Sequence, residues 1–104
     1  MGFIYISIPI TGKDGKEQRK KAEEIQSIFG KENALNPFEL SELLETTFQQ
    51  CGLGDPSYKD YLLNDISYLK HCDAILLCDG WEKSPGCRAE KAFAEAIGLK
   101  IIYQ

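Results

Sequence analysis

The chain of 104 residues has the length of one domain. Hydrophobic residues make up 43% and charged residues 27%, which fits a folded globular protein and excludes disorder caused by low hydrophobicity. The formal net charge of −4 gives no broad basic surface, so we expect no binding to polymeric nucleic acid or to membrane lipid. A small anion could still be held locally by helix N-termini.

The longest apolar stretch, Phe3–Ile10, is far shorter than the roughly 20 residues of a membrane span. It also lacks the basic segment and the small-residue cleavage site of a signal peptide, so we expect a cytoplasmic protein. There is one histidine and no C-x-x-C pair, which predicts free buried thiols, no metal site and no cofactor. The cysteines are Cys51, Cys72, Cys78 and Cys87.

The first half of the chain predicts two strands and two helices. A strand rich in β-branched and aromatic residues covers Phe3–Ile8, and a loop extends from Pro9 to Gly15. A polar helix follows over Lys16–Phe29, with Gly30 as its C-cap. Its predicted inward side chains are Ala22, Ile25, Ile28 and Phe29. A short strand over Ala34–Asn36 and a helix over Leu40–Gln50 complete this half.

The second half repeats the alternation of helix and strand. Ser57 caps a helix that extends to about His71, and a strand covers Ala74–Cys78. After a loop from Asp79 to Ser84, a helix covers Pro85–Ile97 and a last strand covers Lys100–Tyr103.

This alternation predicts one α/β domain over residues 1–104, a three-layer sandwich with a flavodoxin- or Rossmann-like parallel sheet of about four strands in the order 2-1-3-4. Ligands of such sheets bind beyond the carboxyl ends of the strands, where the winding reverses. The rule selects the loops after Ile8 and after Cys78. Candidate substrate-binding residues in the first loop are Ile8, Pro9, Ile10 and Gly12.

Two acidic residues lie on the apolar faces of predicted helices. Asp65 falls in the middle of an apolar arc that contains Tyr61, Leu62 and Leu69. Glu90 lies between Phe93 and Ala94 on the face of the last helix whose predicted inward residues are Ala89, Phe93, Ala94, Ala96 and Ile97. An ionised carboxylate buried without partners costs several kcal/mol. Each acid is therefore either a hydrogen-bonded structural group or a reacting group.

Three further residues are candidates beside these acids. Ser84 precedes Pro85 and Gly86 at the start of the last helix, where free backbone N–H groups can hold a phosphate or a carboxylate. Tyr5 is either a core residue or a hydroxyl donor within the first strand. Trp81 could stack on a ligand ring or cover the edge of the sheet.

Four segments together resemble the nucleoside 2-deoxyribosyltransferase superfamily, in particular its short members, which are related to the deoxynucleoside 5′-monophosphate N-glycosidases. The superfamily strand Y-I-x-G-P-I-T-G corresponds to Tyr5–Gly12, and its Asn-Pro corresponds to Asn36-Pro37. Its helical Asp-Ile/Leu pair before C-D-A-I/V corresponds to Asp65-Ile66 and Cys72–Ile75. Its G-W-E-x-S-x-G-x-x-x-E-x-x-x-A motif corresponds to Gly80–Ala94.

The resemblance implies a role for each matched residue. Glu90 matches the nucleophile, and Asp65 matches the acid that protonates the leaving base or orients the sugar. Tyr5 matches a tyrosine that hydrogen-bonds near the nucleophile, and Ser84 matches a serine that helps to bind the 5′-phosphate. The implied activity is cleavage of the base–sugar bond of a nucleoside or nucleoside 5′-monophosphate, by hydrolysis or by transfer. The chain is shorter than typical transferases of this superfamily, so we expect a homo-oligomer, a dimer or higher, in which a neighbouring subunit contributes residues to the pocket.

One residue departs from that pattern, since Ile8 stands where the superfamily has glycine. A branched side chain there narrows or reshapes the pocket, so a non-catalytic nucleotide-binding module of the same fold stays open as the alternative. In a third alternative, an interaction domain, Asp65 and Glu90 would be structural and neither would line a cavity.

Overall fold

The structure, a computed structural model, describes residues 2–10 and 12–104. Met1 and Thr11 lie outside the described residues, so one position of the predicted first loop is not located. The strands are β1 (Ile4–Ser7), β2 (Ala34–Leu35), β3 (Ala74–Leu77) and β4 (Lys100–Tyr103). The helices are α1 (Gly15–Phe29), α2 (Pro37–Gln50), α3 (Tyr58–Leu69) and α4 (Pro85–Ala96), with a 3₁₀ turn over Trp81–Lys83.

The four strands form one parallel sheet in the order β2-β1-β3-β4, which confirms the predicted fold class. In the central strand β1, Tyr5 lies between Leu35 of β2 and Ile75 of β3. Consecutive side chains of a strand point to opposite faces of the sheet, and each face has its own core. Tyr5, Ile75 and Leu77 pack with residues of α2, α3 and α4. Even-numbered residues of β1 and β3 pack with α1.

The cap residues explain where the helices begin. Asp14 accepts hydrogen bonds from the backbone N–H groups of Lys16 and Glu17, so α1 begins at Gly15. Ser57 and Asp60 form a capping box at the start of α3. Gly30 and Gly98 follow α1 and α4 with positive φ, a backbone conformation in which glycine avoids the steric cost of a side chain.

Helix α2 begins at Pro37, three residues before its predicted start at Leu40. Asn36 is the N-cap and accepts a hydrogen bond from the backbone N–H of Phe38 at 2.9 Å, while Pro37 occupies the first helical position. The Asn-Pro pair is thus a helix start, and the prediction that Asn36 belongs to β2 is wrong. The first turn of α2 therefore lies directly after the carboxyl end of β2.

Two helix faces differ from their predicted patterns. Ile28 is 79% exposed, because the buried side of α1 is formed by Gln18, Ala22, Ile25 and Gln26. The two glutamines are buried because their side-chain amides donate to the carbonyls of Pro9 and Ala34 at 2.6 and 3.1 Å. Ala96 and Ile97 are exposed rather than inward, because Ala96 is the last residue of α4 and Ile97 is its C-cap.

The described cysteines are all free thiols. Cys72, Cys78 and Cys87 are buried as predicted, whereas Cys51 is exposed because it follows the last residue of α2. Burial raises the pKa of Cys72 to about 11 and that of Cys78 to about 12, so both stay protonated at neutral pH. Within residues 2–10 and 12–104, no helix is both long enough and apolar enough to cross a membrane.

Candidate active site

A cavity of about 510 Å³ opens beyond the carboxyl ends of β1 and β2. This volume lies within the range of about 300–1,000 Å³ that is usual for small-molecule sites. Its wall combines residues that follow β1, residues of the first three turns of α2, one side of α3, and the N-cap and first two turns of α4. The lining residues are Ile8, Ile10, Pro37, Phe38, Ser41, Glu45, Tyr58, Tyr61, Leu62, Asp65, Ser84, Gly86, Cys87 and Glu90.

Glu90 is the most constrained acid of this wall. Only 6% of its surface is exposed, and both of its carboxyl oxygens are hydrogen-bonded. Tyr5 Oη donates to Oε2 and Ser7 Oγ donates to Oε1, each at 2.7 Å. Tyr5 and Ser7 are two residues apart on β1, so the alternation of the strand directs both hydroxyls to the face covered by α4.

The protonation of Glu90 reflects a balance between burial and hydrogen bonding. Burial raises its pKa above the ordinary glutamate value, while interactions with Tyr5, Ser7 and Asp65 oppose that rise. The pKa of Tyr5 is raised well above its usual value, first by burial and then by the negative charge of Glu90. Tyr5 therefore stays protonated and remains a hydrogen-bond donor to Glu90.

Asp65 lies on α3 and lines the same cavity. Its Oδ1 atom is buried and has no hydrogen-bond partner among the described residues. Burial and the negative charge of Glu90 raise the pKa of Asp65 to about 8. Two neighbouring carboxyl groups in a shielded site do not both ionise readily, so at neutral pH Asp65 carries a proton beside Glu90.

The N-terminus of α4 forms another part of the wall. Ser84 is the N-cap, and its hydroxyl oxygen accepts a hydrogen bond from the backbone N–H of Cys87 at 3.2 Å. Gly86 lies within the first turn, and a Cβ atom at this position would be 3.7 Å from Tyr58 Oη, which is an ordinary contact. Cys87 is buried one turn before Glu90, and burial raises the pKa of its thiol.

The structure places the predicted site residues in two groups. Those that line the cavity are Glu90, Asp65, Ser84, Gly86, Ile8 and Ile10, and Tyr5 lies directly behind Glu90. Pro9, Gly12 and Trp81 are not part of the cavity wall. Trp81 packs on the ring of Tyr103, with centroids 5.8 Å apart, and Lys91 Nζ lies 5.5 Å from its ring centroid.

Several residues of the site were not expected from the sequence. Ser7 is one of them, although its spacing of two residues from Tyr5 on β1 indicates that both side chains share one face of the sheet. Tyr61 and Leu62 were expected only as apolar residues of α3. Glu45 was not expected because it is one of several acids on α2, and only packing against α3 brings it to the cavity.

No group of three potential metal-ligating side chains exists among residues 2–10 and 12–104. A family model described as "Domain of unknown function (DUF4406)" matches residues 3–103 of the chain. No curated protein and no solved structure matches the chain significantly.

Proposed function

The chain belongs to the DUF4406 family, and we propose that its cavity cleaves the N-glycosidic bond of a nucleoside or nucleoside 5′-monophosphate. The observation that carries the proposal is the paired placement of Asp65 and Glu90, whose carboxyl groups share one cavity but have different surroundings. Glu90 is held by two hydroxyl donors, whereas Asp65 has a buried oxygen without a hydrogen-bond partner among the residues that the structure describes. Such a difference is what separates a nucleophile from a general acid.

Cleavage of an N-glycosidic bond requires stabilisation of positive charge at C1′ and a proton for the departing base. In the proposed reaction the Glu90 carboxylate attacks C1′ as the bond between C1′ and the base nitrogen breaks. The bonding electron pair goes to that nitrogen, which takes the proton from Asp65. Water or a second base then attacks C1′, releases Glu90 and returns a proton to Asp65.

The surroundings of both acids support these roles. Tyr5 and Ser7 fix the orientation of the Glu90 carboxylate, so little reorganisation is needed for attack. Because the pKa of Asp65 is about 8, most of this carboxyl group is protonated at neutral pH. A positioned general acid typically contributes about 10²–10⁴ in rate.

A non-catalytic nucleotide-binding module is the second candidate, and the position of Ile8 favours it. Ile8 is buried in the cavity wall directly after β1. The nucleoside 2-deoxyribosyltransferase superfamily, which the sequence resembles, has glycine at this position. In this alternative the cavity keeps a ligand but no longer brings C1′ to Glu90.

Base release and binding measured on the same ligands separate the two candidates. The wild-type protein is incubated with a panel of nucleosides and their 5′-monophosphates, and free base is measured by chromatography. Titration calorimetry is carried out on the same panel. Free base at a rate that depends on enzyme concentration supports the proposed activity. Tight binding of a ligand that is recovered intact supports the binding module instead.

A further inference from the structure

The charge of the cavity wall distinguishes between the two substrate types of the proposed reaction. Three lining side chains carry carboxyl groups, which are Glu45, Asp65 and Glu90. The lining contains no Lys, Arg or His among the residues that the structure describes. Arg19 is not among the lining residues; its guanidinium carbon lies 5.4 Å from the ring centroid of Phe38, and the guanidinium is paired with Glu42.

Glu45 is oriented by a neighbouring residue rather than left free. Tyr61 Oη donates a hydrogen bond to Glu45 Oε2 at 2.6 Å, and both residues line the cavity. This hydrogen bond is the main reason that the pKa of Tyr61 rises to about 12, so the phenol keeps its proton. Within the described part of the chain, Glu45 forms no ion pair, and its Oε1 can accept a hydrogen bond from a ligand.

The N-terminus of α4 offers few donors to a phosphate. Pro85 has no backbone N–H, and the N–H of Cys87 already donates to Ser84 Oγ. The Gly86 N–H and the hydroxyl hydrogen of Ser84 are the donors that this turn has left for a ligand. Phosphate sites at helix N-termini combine several N–H groups with the helix dipole, and protein cations commonly add to them.

We propose that Glu45, oriented by Tyr61, is a specificity-determining residue that restricts the cavity to uncharged nucleosides and excludes their 5′-monophosphates. A phosphate monoester carries about −1.5 to −2 charges at pH 7, and Glu45 and Glu90 repel it. An uncharged nucleoside instead presents hydroxyl groups, one of which donates to Glu45 Oε1. This inference rests on the proposed function, because it names the substrate of the same site.

The experiment compares each nucleoside with its own 5′-monophosphate, so that the base and the sugar are held constant. We expect the wild-type protein to have a kcat/KM for the nucleoside about tenfold or more above that for the monophosphate. Glu45→Gln keeps the shape and the Tyr61 hydrogen bond but removes the charge. It should raise kcat/KM for the monophosphate several-fold and raise KM for the nucleoside. Glu24→Gln removes an exposed charge from α1 and should leave the ratio of the two kcat/KM values unchanged.

A wild-type protein that cleaves the monophosphate as well as the nucleoside overturns the inference and leaves the proposed function standing. A ratio that does not change in Glu45→Gln, with the variant folded by circular dichroism, also overturns it. If no ligand is cleaved, the proposed function fails, and calorimetry on the same pairs decides the inference. Binding of the nucleoside in preference to the monophosphate, with a smaller preference in Glu45→Gln, supports it, whereas equal or absent binding overturns it.

Discussion

Tyr5 Oη donates to Glu90 Oε2 at 2.7 Å and connects the central strand of the sheet to its last helix, across a separation of 85 residues along the chain. Both groups are buried, and a hydrogen bond to a charged partner contributes about 1.5–3 kcal/mol. The same contact joins the sheet to α4 beside the apolar packing of Ala94 and orients the Glu90 carboxylate. The orientation of this carboxylate therefore depends on a residue of the central strand.

Removal of the Tyr5 hydroxyl tests whether this contact positions Glu90. The hydrogen bond from Tyr5 lowers the pKa of Glu90, so Tyr5→Phe should raise that pKa further. We expect kcat to fall by about 10–100-fold and the acid limb of the pH–rate profile to move to higher pH. Ser7→Ala should act in the same direction.

Tyr103→Phe is the matched control, because the Tyr103 phenol is exposed on β4. It should leave both kcat and the acid limb unchanged. If Tyr5→Phe lowered kcat without moving the acid limb, Tyr5 would be a packing residue and not a positioning residue.

The pH dependence of the rate should show two ionisations. Activity requires ionised Glu90 and protonated Asp65, so the rate should rise with pH as Glu90 ionises and fall above about pH 8 as Asp65 loses its proton. Asp65→Asn should lower kcat by about 10²–10⁴-fold and remove the alkaline limb from the residual activity. If the alkaline limb persisted unchanged in Asp65→Asn, the fall in rate would come from the ionisation of another group.

Thermal stability should also depend on Asp65. Its pKa is higher in the folded protein than in the unfolded chain, so the folded state holds more protons between about pH 4 and pH 8. The favourable contribution of the protonated carboxyl group is complete below the unfolded pKa and is lost as pH rises through about 8. Calorimetric Tm of the wild type should therefore decrease from pH 5 to pH 8.5.

In Asp65→Asn the fall in Tm between pH 5 and pH 8.5 should be smaller than in the wild type, by about 5 °C or more. Asp55→Asn removes an exposed carboxylate from the loop before α3 and should leave the pH dependence of Tm as in the wild type. Parallel curves for wild type and Asp65→Asn would show that Asp65 has an ordinary pKa.

Helix α2 forms one wall of the cavity, and its start depends on Asn36. Asn36 is buried and caps the helix through the backbone N–H of Phe38. Asn36→Ala should lower the free energy of unfolding by about 2–3 kcal/mol in a urea titration, because the partly buried N–H of Phe38 loses its partner. Ser57→Ala removes the exposed cap of α3 and should cost only about 1 kcal/mol. Equal losses would contradict a special role for the buried cap.

The sheet could be predicted from the sequence because β1 and β4 are short runs of β-branched and aromatic residues and β3 is a short apolar run, all separated by helical periodicity. The inward placement of Asp65 and Glu90 could be predicted for a similar reason, since each interrupts an apolar helix face. Both patterns lie within single segments of the chain, so they can be recognised without knowledge of the tertiary contacts.

The rest of the site depends on packing between elements that are distant in the sequence. Glu45 and Tyr61 lie on different helices, and each resembles an ordinary surface or core residue of its own helix. Gln18 and Gln26 became buried because carbonyls of other elements accept their amide hydrogens. The periodicity of one helix does not reveal contacts of this kind between different elements.

The measurement that tests the central claim most directly is base release by Glu90→Gln beside Glu95→Gln, on the nucleoside that the wild-type protein cleaves fastest. Both variants remove one carboxylate from α4, but Glu95 is exposed and paired with Lys91. We predict no detectable turnover for Glu90→Gln and the wild-type rate for Glu95→Gln, with both proteins folded. Turnover by Glu90→Gln at the wild-type rate would contradict the assignment of Glu90 as the nucleophile.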